Sequence, residues 1–430
     1  MSQIADYPLF TVIIPQKDRE EYLVHTLRTC MIQDYPNLEF IVADDCSEDG
    51  SVEIVQEFAQ KDPRIKLLAH KHHVGMRDNF EQALAMVRPG YVMALGGDDG
   101  LVPGCFWKMY EVIKETGSQL LTWPTHIFKY ADGRADSRLS IKKKKFSGVT
   151  MIKSEDFLNR ISQSLNYMTD DCPMFYIKGV ASTSLIEKVK SRTHDNCFYY
   201  CPTPDGFSGV VLAGEVDEYA YISTPLSISG NSPKSQGLNY KRTDERSQKE
   251  SQQFFNDNIR RTMHHELASQ QYSPLVTLMT ADYLLTARDL PGWPGKFKMF
   301  SYEKLIKATF QMLVRNPFAN EVLVRELNIL KKIAIQHNLL PLFNDLLKST
   351  KRKLVLGDPF DGFMLTRNTF QFSGSDLKIT NMFDAALACN FAYTFLNNVN
   401  ARWVYRWIKT SIKTILNQRN YKLTYLPNID

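Results

Sequence analysis

The sequence predicts an α/β domain with a doubly wound, mostly parallel sheet, followed by a mainly α-helical C-terminal domain. Three observations carry that expectation. Short apolar, β-branched runs alternate with amphipathic segments of helical length through residues 9–125, the pattern of βαβ units. The runs are apolar at successive rather than alternate positions, as in strands covered on both faces. From about Thr243 the chain changes to long amphipathic helices with few strand signals.

The elements follow in order. "LFTVIIP", Leu9 to Pro15, is a short strand ended by proline. "EEYLVHTLRTCMIQ" has helical spacing, with Leu23, Leu27 and Met31 on one face. "LEFIVADD" is a second buried strand, "SVEIVQEFAQ" a helix and "RIKLLAH" a third strand. "MRDNFEQALAMV" is a helix with Phe80, Leu84 and Val87 inward. "YVMALGG" is the fourth strand, "PGCFWKMYEVIKETG" a helix, and "SQLLTWP" closes the series. The pattern then loosens. Residues 130–150 are polar and include the run Lys142 to Lys145, which reads as a solvated loop or as a contact to anionic lipid or diphosphate. A helix ("SEDFLNRISQSL"), short strands ("PMFYIKGVAS") and the Ser/Gly/Pro-rich loop "SISGNSPKSQG" follow. The expected division is a domain over 1–240 and a helical domain over 241–430.

Composition narrows the class. The chain has 430 residues, 43% hydrophobic and 23% charged, enough for a sizeable core. A net charge of +5 is too small by itself to argue for nucleic acid. Seven cysteines without regular spacing do not form a disulfide framework and point to a reducing, cytoplasmic setting. The start "MSQIADYPLF" has no basic or apolar leader pattern, and no run of apolar residues is long enough to span a bilayer.

In an open parallel sheet, ligands bind beyond the carboxyl ends of the strands. Those ends read "PQKDR", "ADDCSEDGS", "HKHHVGMRDN" and "GGDDG". All four carry carboxylates, and the third also carries Arg77. Such a rim suits a phosphate-bearing ligand with a divalent cation, since hard cations prefer oxygen ligands. A cation would also offset the repulsion between Asp98 and Asp99. Within "DDCSEDGS", Ser47 and Asp49 suit helix capping, and Asp44 or Asp45 suits ligand binding. "GGDDG" by itself also fits a plain turn. His70, His72 and His73 read as solvated, "TMHHEL" lacks the spacing of a zinc peptidase, and Cys197 and Cys201 have no second pair.

These stretches, taken in order, resemble the family 2 glycosyltransferases of GT-A fold. The resemblance rests on Gln33-Asp34-Tyr35-Pro36, on Asp44-Asp45-Cys46-Ser47-Glu48-Asp49, on Gly75, Arg77 and Asn79, and on "GGDDGLVPG", and it covers residues 9–235. It implies that Pro15 and Lys17 lie beside a nucleotide base, with Asp44 accepting a hydrogen bond from it and Asp45 beside it. Arg77 would contact the base or a phosphate, Asp98 the ribose or metal, and Asp99 the metal, Mn²⁺ or Mg²⁺. Two departures stand out: Lys17 replaces an aromatic, and Gly96 replaces the first acid of Asp-x-Asp. The resemblance further implies a general base in "CPTPDGFSGVVLAGEV", where Asp205 precedes an apolar helix; a plain N-cap is the alternative, and Asp170 and Asp171 compete for the role. Ser229, Asn231 and Lys234 fit the family's mobile loop near the diphosphate.

The implied activity is metal-assisted, inverting transfer of a sugar from a nucleoside diphosphate donor, a UDP-sugar, to a glycan or lipid-linked acceptor in bacterial surface polysaccharide synthesis. The alternatives are a non-catalytic nucleotide- or glycan-binding relative and a nucleotidyltransferase, although "PQKDREEY" lacks the glycine-rich loop of the latter. No nucleic-acid partner is expected, and a homo-oligomer is left open. In "ARWVYRWIKTSIKTIL", Arg402, Arg406, Lys409 and Lys413 share one helical face, opposite Val404, Ile408, Ile412 and Ile415. That face fits peripheral docking of the 402–416 helix on the inner membrane surface. An ordinary surface helix with a basic face is the alternative.

Overall fold

The computed structural model describes residues 7–132, 135–143, 148–235, 240, 244–258, 262–316, 318–349, 363–366 and 368–396. The 402–416 helix lies outside them.

Through residue 231 the elements are β1 (Phe10–Gln16), α1 (Glu20–Met31), β2 (Leu38–Asp44), α2 (Ser51–Lys61), β3 (Ile65–Ala69), α3 (Met76–Ala85), β4 (Tyr91–Ala94), β5 (Gly100–Leu101), α4 (Cys105–Thr116), β6 (Leu120–Thr122), β7 (His126–Lys129), β8 (Arg138–Lys142), β9 (Val149–Lys153), α5 (Ser154–Ser164), β10 (Gly179–Ser182), α6 (Thr183–Lys190), α7 (Pro204–Gly214), β11 (Glu218–Ile222) and β12 (Ser227–Asn231). An eight-stranded sheet runs in the order β3-β2-β1-β4-β10-β6-β11-β9. Its first four strands are parallel, as the βαβ pattern predicts. Val12, Ile14, Phe40, Val42 and Met93 pack into one core. The intervening Ile13, Ile41, Ala43, Val92 and Ala94 pack into another. Both faces are therefore covered, which is why these strands read as unbroken apolar runs.

The sequence places the "SQLLTWP" strand directly after the fourth. In the fold, β10 lies between β4 and β6, antiparallel to both. The stretch "PMFYIKGVAS" yields one strand, at its end, and packing rather than a local pattern sets its place in the sheet.

A second, six-stranded sheet runs in the order β13-β14-β8-β7-β12-β5, with β13 (Phe363–Leu365) and β14 (Thr369–Ser373) coming from the far end of the chain. Helix Met382–Leu396 packs beside them, so that Met382, Ala385, Ala386 and Cys389 share a core with Phe128, Ile141 and Ile228. A Cβ on Gly100 would sit 2.7 Å from the Met382 sulfur, and one on Gly230 would sit 1.8 Å from the Asp98 carbonyl oxygen. Glycine at these two positions lets the C-terminal helix and β12 press against the Asp98–Asp99 turn.

The remaining helices include Glu245–Asp257, Val276–Arg288, Tyr302–Arg315, Asn320–Gln336 and Leu340–Ser349. Leu278 and Leu284 of the second share one hydrophobic core with Val210 and Val211 of α7 and Phe157 of α5. Among the described residues, no helix is long and apolar enough to cross a membrane.

Asp282 is buried in this core and accepts a hydrogen bond from the His264 N–H at 2.7 Å. Burial pushes its carboxyl up to about 7. A carboxyl raised in the folded state binds a proton that the unfolded chain has released, so stability falls as pH rises from about 4 to about 7. Asp282→Asn is therefore expected to flatten that decline, by up to about 4 kcal/mol at pH 8. Denaturant unfolding of both proteins at pH 5 and pH 8 checks it.

Candidate active site

The site begins where β1 and β2 end side by side, with Gln16 in register with Asp44. The Gln16 amide donates to one Asp44 oxygen, and the Ser47 N–H donates to the other at 2.8 Å. The following loops turn through left-handed residues, Asp18 at φ 51° and Cys46 at φ 58°. Asp18 laces them together, accepting from the Glu48 N–H and donating its own N–H to the Ser47 hydroxyl, both at 2.8 Å. The N-cap of α2 is Gly50, with no side-chain cap hydrogen bond, so neither Ser47 nor Asp49 caps it; Asp49 instead accepts from the Ser51 N–H two residues on.

Asp45 reaches toward β3 and accepts from the N–H groups of Val74 (2.7 Å) and Gly75 (3.1 Å). His73 sits between Asp45 (2.8 Å) and Asp257 (3.0 Å), with the Lys17 ammonium 3.2 Å from its ring. Pro15, Lys17, Asp44 and Asp45 thus gather at one strand end. Arg77 is drawn elsewhere: it donates to the Tyr199 carbonyl and pairs with Asp78 (2.7 Å) and Asp195 (3.3 Å).

Asp98 and Asp99 lie beyond β4, both buried. Thr26 on α1 anchors the turn by donating to the Asp99 carbonyl at 2.7 Å, and the Tyr130 hydroxyl holds the Asp98 carbonyl at 3.0 Å. The Asp99 side chain accepts from the N–H groups of Gly96 (2.9 Å) and Gly230 (2.7 Å). Burial, and then the Asp98 charge beside it, push the Asp99 carboxyl up to about 7. One Asp98 oxygen accepts from Ser232 (2.5 Å) and Ser235 (3.2 Å), while Oδ1 makes no hydrogen bond among the described residues. No ion pair to either carboxylate occurs among them. Two hard carboxylates with an open oxygen and no cationic partner fit Mg²⁺ or Mn²⁺.

Helix α7 opens at Pro204, with Thr203 in the cap position, so Asp205 belongs to the first turn and is not the N-cap. Its Oδ1 is buried without a hydrogen-bond partner, and burial raises its carboxyl above the ordinary range. A ring of tyrosines surrounds it. Tyr283 donates to or accepts from Thr203 at 2.5 Å and meets the Tyr272 hydroxyl at 3.1 Å. The close fit needs Gly206, where a Cβ would sit 2.4 Å from Tyr283 and 2.6 Å from Tyr167. The competitors Asp170 and Asp171 are both ion-paired, to Lys142 at 2.7 Å and to Arg160.

Several site residues carry no sequence signal. Tyr176 lies in electrostatic reach of Asp98, Asp99 and Asp205 together. Ser232 and Ser235 hold Asp98 from the stretch after β12, where Lys234 donates to the Asp18 carbonyl and its own carbonyl accepts from Arg19 at 2.8 Å. Ser229 and Asn231 instead pair β12 with β7. In "TMHHEL", His264 and His265 do approach Asp289 closely enough for a shared ion. However, His264 already bonds Asp289 at 2.7 Å, and Arg288 neutralises Asp289 at 2.6 Å.

The profile of Glycosyl transferase family 2 matches residues 11–176. A Bacillus subtilis protein named as a teichuronic acid biosynthesis glycosyltransferase is 33% identical over 92 residues, 21% of this chain and 36% of that one. The Campylobacter jejuni GalNAc(5)-diNAcBac-PP-undecaprenol beta-1,3-glucosyltransferase is 29% identical over 153 residues, 33% of this chain and 50% of that one. The chain thus spans about a third to a half of the length of these curated relatives. A crystal structure of S. aureus TarS 1–349 with UDP overlaps at a TM-score of 0.42 and 14% identity, covering 84% of this chain and 94% of that one.

Proposed function

Since the chain belongs to glycosyl transferase family 2 through residues 11–176, we propose that it moves a sugar from a nucleoside diphosphate donor, a UDP-sugar, to a glycan or lipid-linked acceptor in bacterial surface polysaccharide synthesis. The observation that carries this reading is the presence of two unlike carboxylate sites. One is a pair suited to a divalent cation, and the other is a lone buried carboxylate with an unpartnered oxygen.

The roles follow from those environments. Pro15, Lys17, Asp44 and Asp45 border the base, and Arg77 braces the α3 end of that rim against the Tyr199 loop. A divalent cation held by Asp98 and Asp99 would offset the charge that develops on the departing diphosphate. The Asp205 carboxylate takes the proton of the acceptor hydroxyl as the hydroxyl oxygen bonds to the anomeric carbon. The sugar–phosphate bond breaks on the opposite face, and its electrons leave with the nucleoside diphosphate; one such displacement inverts the anomeric centre. Burial makes Asp205 more basic than a solvated carboxylate, which suits that proton transfer. A lipid-linked acceptor would place the reaction at the inner membrane face, where the basic residues spaced along 402–416 in the sequence would fit anionic lipid.

Calorimetric titration with UDP, with and without Mn²⁺, tests the donor site, and a screen of sugar donors for UDP release tests turnover. Tight UDP binding that requires Mn²⁺, with release from one donor, is expected. Absence of binding under both conditions would overturn the reading. Binding without release from any donor would instead favour a non-catalytic relative.

A further inference from the structure

We propose that Tyr176 positions the Asp99 carboxylate within the cation-binding turn, filling the space that a side chain at position 96 would need. The inference rests on the reading of Asp98 and Asp99 as a cation site. A Cβ added to Gly96 would lie 2.5 Å from the Tyr176 hydroxyl and 2.6 Å from Asp99 Oδ2. Phenol and carboxylate therefore meet over the bare backbone of residue 96, each against the space its side chain would fill. Beside the N–H donors of Gly96 and Gly230, the Tyr176 hydroxyl is thereby placed to donate to the Asp99 carboxylate.

The tyrosine is itself held firmly. The Ile177 N–H donates to the Ala94 carbonyl at 2.7 Å, tying this segment to β4 two residues before Gly96. The Phe80 ring packs 6.2 Å from the Tyr176 ring. Ile177 stands at φ 60°, a left-handed conformation that a β-branched residue rarely adopts. Such strain persists only where the surroundings enforce it, and it clusters at functional sites. The Tyr176 hydroxyl lies over Gly96 beside Asp99. Tyr176 is thus a positioning residue that acts through Asp99.

The test is Mn²⁺ affinity in the presence of saturating UDP, read by calorimetry on the full chain. Tyr176→Phe is expected to weaken Mn²⁺ about tenfold, as loss of a hydrogen bond to a charged group does. The variant should still melt cooperatively in EDTA, so that weaker Mn²⁺ binding cannot be traced to unfolding. Gly96→Ala should also weaken Mn²⁺ binding, by crowding both the Tyr176 hydroxyl and Asp99 Oδ2, and the part of that loss due to the hydroxyl should vanish when Tyr176 is already Phe. Unchanged Mn²⁺ affinity in Tyr176→Phe, or strictly additive effects of the two substitutions, would overturn the role of Tyr176. Failure of the unsubstituted chain to bind Mn²⁺ with UDP would overturn the cation site itself, and this role with it.

Discussion

Asp205→Asn is expected to keep Mn²⁺-dependent UDP binding and to lose transfer by about 10³-fold, within the usual range for removing a general base. The substitution is nearly isosteric, so the packing of Gly206 against Tyr167 and Tyr283 is preserved. What it removes is the one group at the start of α7 that can accept a proton from an acceptor hydroxyl. The structure also fixes the expected pH behaviour. Burial raises the Asp205 carboxyl, so the unsubstituted chain should gain rate as pH rises through that raised value and then level off. The Asn variant should lose this rise. The same burial means that ionised Asp205 costs stability at high pH. Asp205→Asn should therefore be at least as stable as the parent at pH 8, and lost activity there cannot be traced to unfolding. UDP-release rates from pH 5 to 9, with unfolding curves at each end, decide it. Full turnover in the variant would remove Asp205 as base.

Asp99→Ala is expected to abolish Mn²⁺-dependent UDP binding and to reduce turnover by at least about 10²-fold, the scale on which electrostatic stabilisation of a developing charge acts. Asp98→Ala should do the same by a different route. Asp99 is the inner partner, cross-linking the turn to β12 through the Gly230 N–H. Its loss should also lower the thermal midpoint. Asp98 is the outer partner, with one oxygen on Ser232 and Ser235 and the other open. Its loss should spare the fold more. Calorimetry with UDP and Mn²⁺, alongside thermal melts, separates the two. Turnover at the parent rate in Asp99→Ala would sink the metal-assisted mechanism.

The first four strands were legible because they are buried on both faces and so carry unbroken apolar runs. The placement of Asp98 and Asp99 followed from the rule that ligands lie beyond strand carboxyl ends. What the sequence hid depends on long-range geometry. β10 is four small residues, and its insertion between β4 and β6 is decided by packing. β13 and β14 lie in a region read as helical, and they add to a sheet whose other strands lie far earlier in the chain. At the site, Asp44 and Asp45 read as open carboxylates, yet Gln16, Ser47 and the backbone of Val74 and Gly75 engage them. No local pattern announces a glutamine in register or a loop turning its N–H groups inward. Gly96 read as a loss of one acid; the volume it vacates is taken by a tyrosine eighty positions away.

The contact of Met382 with Gly100 and Gly230 bears on how the molecule is made. The whole family-matched segment, 11–176, leaves the ribosome long before Met382 is translated. Until then the back of the Asp98–Asp99 turn has no cover, and β14 has not joined β8. Domains that fold as they emerge can finish a local site early; here a contact between positions far apart in the chain completes the packing of the Asp98–Asp99 turn, with a loop-closure cost that local contacts do not carry. A chain synthesised only through the family-matched segment therefore carries its recognisable motifs while the back of that turn is still uncovered.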